Sequence, residues 1–234
     1  MESDTRLRRA PEQRASPAAS GGDKRAVARV KGSSYKSVFF DFDGVVSDTN
    51  ALKKTNIFSS VSEYLEPRLA EEFSAFFTAN NGIPREQKVF SWFSRAEAEE
   101  ILKNYARRNQ EAFRCVGTTP GFRQFLKHCL ATDTRTWVLS GGDSGEIRAI
   151  LRRNAVEGLD GILAGPATKH DNLSRLSYPE PAVFIGDSRH DYEVALEFGL
   201  DFVFMSGYTQ FTEWRTYFHD KTINGTISDF GELL

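Results

Sequence analysis

The chain has 234 residues, of which 40% are hydrophobic and 12% aromatic, and its formal net charge is −2. A chain of this length and composition can bury the core of one or two domains, which excludes a collagen-like or wholly disordered protein. Its longest apolar runs are four residues (182–185 and 202–205), whereas a membrane-spanning helix needs about 20.

Positive charge is concentrated at the beginning of the chain. Residues 1–36 carry nine basic and four acidic side chains, so the rest of the chain has a net charge of −7. Because binding to nucleic-acid phosphates needs clustered Lys and Arg, this acidic body argues against nucleic acid as the main partner. Residues 1–34 contain no Phe, Trp, Tyr or Ile, and we expect a disordered basic tail there.

The cysteine content indicates a reducing environment. Cys115 and Cys129 are the two cysteines, and they form no Cys-x-x-Cys pair. This pattern excludes a disulfide scaffold and a cysteine-based zinc site. Residues 1–34 also lack the apolar stretch of a secretory signal. We therefore expect a cytoplasmic protein with no membrane partner.

The first predicted element is a short buried strand over residues 37–41, which are β-branched or aromatic and end in a carboxylate. Residues 48–117 are then predicted to be helical, because their apolar side chains recur at helical spacing. Asp48 or Thr49 can cap the first of these helices. The Asn-Asn-Gly-Ile-Pro segment at 80–84 breaks the pattern and predicts a loop.

Strands and helices alternate in the second half of the chain. After a last helix of the helical block over 96–113, the predicted helices cover 121–130, 144–153 and 190–198, and the predicted strands cover 136–140, 159–164, 182–187 and 201–205. This alternation is typical of a parallel sheet with helices on both faces. We therefore predict an α/β fold with a Rossmann-like parallel sheet core, formed by residues 35–47 and 118–234, and an α-helical cap (48–117) inserted after the first strand.

Polar residues collect where the predicted strands end. They form the segments Asp41-Phe42-Asp43-Gly44, Ser140-Gly141-Gly142, the loop that contains Lys169, and Gly186-Asp187-Ser188-Arg189-His190-Asp191. Ligands of parallel sheets bind at this edge. Residues two apart on an extended backbone point the same way, so Asp41 and Asp43 face one pocket. Two close carboxylates need either a cation or a shared proton.

The residue types in these segments favour a site for Mg²⁺ and a phosphoryl group. Asp187 and Asp191 add carboxylates, and hard oxygen ligands are those that Mg²⁺ prefers. Ser140, the glycine backbone after it and Lys169 provide hydrogen-bond donors and positive charge for phosphate oxygens. Each residue taken singly has an ordinary explanation as a helix cap or surface charge, but the four segments in this order favour a functional site.

In order and spacing, the four segments resemble the signature motifs of the haloacid dehalogenase (HAD) superfamily of phosphohydrolases over residues 37–206. The insertion after the first motif is similar to the helical cap of the phosphoglycolate phosphatase and β-phosphoglucomutase group. The resemblance implies Mg²⁺-dependent hydrolysis of a small phosphorylated metabolite, such as a sugar phosphate or a phosphoglycolate-like compound, through an aspartyl-phosphate.

The resemblance also implies a role for each matched residue. Asp41 would be the nucleophile, and Asp43 would be the general acid and base. The Asp41 side chain, the Asp43 backbone carbonyl and Asp187 would hold Mg²⁺. Ser140, Gly141 and Lys169 would hold the transferring phosphate, while Asp191 would orient Lys169 or a metal-bound water.

Two relatives within the superfamily differ in chemistry. Residues 44–49 look like the β-phosphoglucomutase form of the first motif, and residues 82–85 resemble the cap loop with which that group holds a second phosphate. A phosphosugar mutase is therefore an alternative, although Lys53 stands near the place where those mutases carry a histidine. If the protein is a phosphatase, Arg85 and Lys88 are candidate substrate selectors, since Arg binds carboxylate or phosphate in a bidentate manner.

The first motif separates the remaining hypotheses. The dehalogenases and phosphonate-cleaving members generally lack an acid at the position of Asp43, so their chemistry is a poor match. A catalytically silent, HAD-like binding module would be expected to lose Asp41 or Asp43, and both are present. The sequence leaves the oligomeric state open.

Overall fold

A six-stranded parallel sheet lies at the centre of the computed structural model, which describes residues 35–80 and 83–234. Its strands are β1 (Ser37–Phe40), β2 (Arg135–Asp143), β3 (Gly161–Gly165), β4 (Ala182–Gly186), β5 (Asp201–Met205) and β6 (Gly225–Ile227). Their order is β3-β2-β1-β4-β5-β6, and all neighbours are parallel. The predicted α/β fold is therefore confirmed, whereas the predicted tail (1–34) lies outside the described residues.

Helices cover both faces of the sheet. They are α1 (Asn50–Val61), α2 (Pro67–Ala79), α3 (Arg85–Phe90), α4 (Arg95–Ala112), α5 (Phe122–Ala131), α6 (Ser144–Arg153), α7 (Lys169–Ser174), α8 (Arg189–Glu197) and α9 (Trp214–Tyr217), with short 3₁₀ helices at Phe113–Cys115 and Phe230–Leu233. Local sequence explains several starts: Ser94 and Glu97 form a capping box before α4. No helix among these residues is long and apolar enough to cross a lipid bilayer.

Alternate residues of the central strand β1 pack into two different cores. Val38 and Phe40 belong to the cluster under α5 and α6, where Phe40 contacts the ring of Phe230 edge-on. Phe39 belongs to the cluster on the opposite face and stacks on Trp137, which agrees with the side-chain alternation of a strand. Both faces of the sheet are therefore buried, as a parallel sheet requires.

The four helices between β1 and β2, α1–α4, form the cap and have a separate hydrophobic core. The two chain segments that join the cap to the sheet lie side by side. Ser47 forms an isolated bridge with Thr118 and donates a hydrogen bond to the Gly117 carbonyl over 2.8 Å. These contacts support cap boundaries near residues 48 and 117, which we propose on this basis.

Three local features differ from the sequence prediction. Strand β2 continues three residues past Ser140 to Asp143, and Lys169 is the first residue of α7 rather than part of a loop. The three-residue strand β6 was not predicted, because its sequence is too short to carry a pattern and pairing with β5 decides its conformation. In these places tertiary contacts outweigh local preference.

Candidate active site

The carboxyl ends of β1, β2 and β4 meet beneath the cap because β1 lies between the other two strands. A cleft between this sheet edge and the cap is lined by six of the predicted core residues: Asp41, Asp43, Ser140, Gly141, Lys169 and Asp187. Asp191 is fully buried and lies beneath Lys169. The structure therefore brings all seven predicted core residues together.

Lys169 joins two buried carboxylates. Its Nζ donates to Asp41 Oδ1 over 2.7 Å and also donates to Asp191 Oδ1. Burial alone would lower the pKa of Lys169, but Asp191 and Asp41 outweigh that effect and raise it, so the amine is charged. The second oxygen of Asp191 accepts the backbone N–H groups of Asp187 and Ser188, each over 3.1 Å. Asp191 therefore orients Lys169 by direct contact.

A compact group of carboxylates provides the donors for a metal ion. One oxygen each of Asp41, Asp187 and Asp191 lies within 4.8 Å of the others. Burial, followed by the charges of neighbouring aspartates, raises the pKa of Asp41 to about 7 against the pull of Lys169. Burial and Asp41 likewise raise the pKa of Asp187 well above its usual value. Crowded buried carboxylates of this kind suit a hard cation such as Mg²⁺.

A glycine and an asparagine hold Asp187 against this carboxylate group. Gly44 has a φ of +79°, and a Cβ there would lie 2.3 Å from both Asp187 Oδ2 and Asn50 Nδ2. Asn50 donates to Asp187 Oδ2 over 2.8 Å and to the Tyr208 carbonyl over 3.2 Å. The sequence analysis missed Asn50, because nothing in its local pattern distinguishes it from any polar residue that begins a helix.

Both oxygens of Asp43 are bound by side chains at the start of the cap. Thr49 Oγ1 donates to Oδ1 over 2.5 Å, and Lys53 Nζ contacts Oδ2 at 2.6 Å. Thr49 occupies the predicted capping position of α1, but its hydroxyl makes no capping hydrogen bond. Burial lowers the pKa of Lys53, yet Asp43 together with Tyr105 and Glu146 outweighs this effect and raises it. The cap therefore positions Asp43 directly.

The end of β2 places backbone amides beside Asp43. Ser140 is buried, and its Oγ accepts the backbone N–H of Gly142 over 3.0 Å. A Cβ at Gly142 would lie 3.2 Å from Ser140 Oγ and 3.4 Å from both Asp43 Oδ2 and Lys53 Nζ, so the glycine backbone lies close to all three side chains. This arrangement of hydroxyl, glycine backbone and Lys169 matches the needs of a phosphoryl group.

The family model for haloacid dehalogenase-like hydrolases matches residues 35–199, which include every residue that lines the cleft. The chain belongs to the haloacid dehalogenase-like hydrolase family. This confirms the resemblance inferred from the four motifs, and it identifies the protein as an enzyme of hydrolase class. Among curated proteins no match is found.

Solved structures of other HAD-like hydrolases share the fold. A HAD-like hydrolase from Bacteroides fragilis is 18% identical, with a TM-score of 0.66 over 86% of this chain and 100% of that chain. CbbY from Rhodobacter sphaeroides, in complex with phosphate, is 17% identical (TM-score 0.64, 85% of this chain and 96% of that chain). A predicted phosphoglycolate phosphatase from Haemophilus somnus is 16% identical (TM-score 0.65, 85% and 96%). At these identities the similarity shows a common fold.

The two cap residues predicted as substrate selectors have different environments in this HAD-like hydrolase. Arg85 contacts two acids of the core: Glu146 Oε1 at 2.8 Å and Asp143 Oδ2 at 3.1 Å. Both lie at the start of α6, directly after the end of β2. Arg85 thus joins the cap to the core while it also lines the cleft, and its role as a selector stays a prediction. Lys88 is buried in the cap wall of the cleft and contacts no core acid.

We expect Arg85→Ala to lower kcat/KM by a similar factor for every substrate, roughly 10- to 150-fold if one charge-assisted hydrogen bond of closure is lost. The reason is that the substitution loosens the cap without removing a contact to any one substrate group. Steady-state kinetics on p-nitrophenyl phosphate and on a sugar phosphate measure this. Arg95→Ala, which removes an exposed pair with Glu99 on the cap surface, is the control. A loss restricted to substrates with a second anionic group would support the selector role.

Proposed function

We propose that this protein is a Mg²⁺-dependent phosphatase that hydrolyses a small phosphorylated metabolite, such as a sugar phosphate or a phosphoglycolate-like compound, through an aspartyl-phosphate on Asp41. One observation carries the proposal. A buried nucleophile candidate (Asp41), a lysine that contacts it (Lys169) and a second carboxylate held by the cap (Asp43) converge in one cleft. The family's hydrolase chemistry is consistent with this arrangement.

In the first half-reaction a carboxylate oxygen of Asp41 attacks phosphorus, and the bond between phosphorus and the ester oxygen breaks. Asp43 gives a proton to that departing oxygen, and the alcohol leaves. In the second half-reaction Asp43 takes a proton from water as the water attacks phosphorus. The bond between phosphorus and Asp41 then breaks, which restores the carboxylate and releases inorganic phosphate.

The residues around Asp41 reduce the electrostatic repulsion between its carboxylate and the negatively charged phosphoryl group that it attacks. Lys169 already compensates the charge of Asp41 and, with Ser140 and the Gly141 backbone, is placed to donate hydrogen bonds to phosphoryl oxygens. Mg²⁺ held by Asp41 and Asp187 would supply further positive charge to the nucleophile and the phosphoryl group. Both oxygens of Asp191 accept hydrogen bonds, one from Lys169 and the other from two backbone amides. Lys169 contacts one oxygen of Asp41, and Asn50 contacts one oxygen of Asp187, so we assign the metal to these two carboxylates.

The cap completes the site. Thr49 and Lys53 contact Asp43 from the first turns after the cap linker, while Arg85 contacts the start of α6. The proposed general acid, Asp43, is therefore held in place by the cap when the cap lies against the core. Such closure keeps bulk water away from the phosphoryl group and strengthens the electrostatic contacts inside.

The test is an assay of inorganic phosphate release by the full-length protein with p-nitrophenyl phosphate and a panel of sugar phosphates. We expect release with Mg²⁺ and none in EDTA. Interconversion of sugar phosphates with little phosphate release would favour the mutase, and binding without turnover would favour the silent module.

A companion variant tests the metal site. Asn50→Ala, which frees Asp187, should raise the Mg²⁺ concentration for half-maximal activity about 10- to 100-fold. Asn56→Ala is the control, because Asn56 lies on the same helix and contacts Asn109 instead. An unchanged Mg²⁺ requirement would remove Asp187 from the metal site.

A further inference from the structure

The cap contributes only positive charge to the wall of the cleft. Its ionisable residues there, apart from the phenol of Tyr105, are Lys53, Lys54, Arg85 and Lys88. No acid of the described cap residues lines the cleft. The carboxylates all belong to the core, so the charge on the cap side must be balanced across the cleft or by a bound molecule.

Two of these cations are balanced by the core. Lys53 contacts Asp43, and Arg85 contacts Asp143 and Glu146. Lys54 is exposed to water, so its charge needs no partner. Lys88 differs from all three, because it is only 4% exposed and forms no ion pair with any acid in the described part of the chain.

The contacts of Lys88 are neutral groups. Its Nζ donates to the Phe77 carbonyl over 2.9 Å and lies 3.8 Å from the centre of the Phe77 ring. Burying an ammonium group without an anion is costly. Burial is accordingly the main cause that lowers the pKa of Lys88 to about 7, and the nearby charge of Lys53 adds to it, although the charges of Asp43 and Glu86 act in the opposite direction. The cleft thus contains an amine that lacks an anionic partner.

The position of Lys88 limits what that partner can be. Lys88 lines the same cleft as Asp41 and Ser140, and the rings of Phe77 and Tyr105 line it too. An anion at Lys88 would share this cleft with the phosphoryl group at Asp41. A small substrate with two anionic groups can place its phosphoryl group at Asp41 and its second anionic group at Lys88. The second group then forms the ion pair that the Lys88 amine lacks.

We propose that Lys88 binds a second anionic group, a carboxylate or a second phosphate, on the alcohol portion of the substrate. The inference rests on the proposed phosphatase function and names its substrate class: small phosphate monoesters with a second negative charge. It also assigns substrate selection to Lys88 and cap attachment to Arg85. Lys88 is a specificity residue and takes no part in the proton transfers.

Three esters with the same two-carbon skeleton separate the possibilities: phosphoglycolate, ethylene glycol bisphosphate and ethyl phosphate. We expect wild-type kcat/KM to be higher for one or both of the esters with a second anionic group than for ethyl phosphate. Lys88→Met should lower that preference ratio about 10- to 150-fold, the range of a charge-assisted hydrogen bond. Whichever of phosphoglycolate and ethylene glycol bisphosphate has the higher kcat/KM identifies the second group as a carboxylate or a phosphate.

The variant is expected to fold. The pKa of Lys88 is lower in the fold than the usual 10.5, so the cost of burying its charge is greatest below about pH 7. Lys88→Met should therefore raise Tm at acidic pH. Lys103→Met, at an exposed cap position outside the cleft, is the matched control and should keep the wild-type preference ratio.

Each outcome decides between the two proposals. A wild-type enzyme that hydrolyses p-nitrophenyl phosphate but does not prefer either anionic ester over ethyl phosphate overturns the role of Lys88, even if the variant fails to fold. An unchanged ratio in folded Lys88→Met does the same. Absence of hydrolysis of every ester, p-nitrophenyl phosphate included, overturns the phosphatase function itself.

Discussion

Asp41→Asn should reduce phosphate release below detection in the presence of saturating Mg²⁺. An amide is a poor nucleophile, and it cannot compensate the charge of a metal ion or of Lys169. The fold should survive, because burial already disfavours the anion, raising the pKa of Asp41 to about 7, and Asn has nearly the same shape. Release of inorganic phosphate from p-nitrophenyl phosphate, measured beside the melting temperature, checks both expectations.

The matched control for this experiment is Asp48→Asn, since Asp48 is exposed on the same loop. It should retain wild-type turnover. A folded Asp41→Asn protein that still turns over, after contamination by other phosphatases has been excluded with an independently purified preparation, would show that the nucleophile is another group.

Asp43→Asn should lower kcat for a sugar phosphate by about 10²- to 10⁴-fold, the usual contribution of general acid–base catalysis. The effect on p-nitrophenyl phosphate should be smaller in the first half-reaction, because p-nitrophenolate leaves without needing a proton. Comparing kcat for the two substrates, together with the burst of p-nitrophenol in a single turnover, therefore separates proton donation from general damage to the site.

Asp43 also binds Thr49 and Lys53, so its substitution could disturb the cap. Thr49→Val removes one of these contacts while keeping the carboxylate and provides the comparison. If Asp43→Asn and Thr49→Val reduce both substrates by the same modest factor, Asp43 serves to attach the cap, and the role of general acid must be withdrawn.

The core of the site could be predicted from sequence because its residues lie at or shortly after the carboxyl ends of four strands. A buried apolar strand such as residues 182–186 is recognisable locally, and parallel strands bring their carboxyl ends to one edge. The helix over Ser144–Arg153 was predicted with the bounds that the structure shows. The sequence therefore predicts that Asp41 and Asp187 lie close together, although 145 residues separate them along the chain and no local pattern connects them.

The amino-acid sequence by itself determined the α/β class, the order of the motifs and the family to which the chain belongs. Only the tertiary structure decided what the cap residues do. Lys53 contacts Asp43, Arg85 contacts Glu146, and Lys88 lies in the cleft wall without an ion pair to any acid among the residues that the structure describes. The physical reason is that these contacts depend on how two separately packed hydrophobic cores lie against each other, and no periodicity or spacing along the chain encodes that orientation.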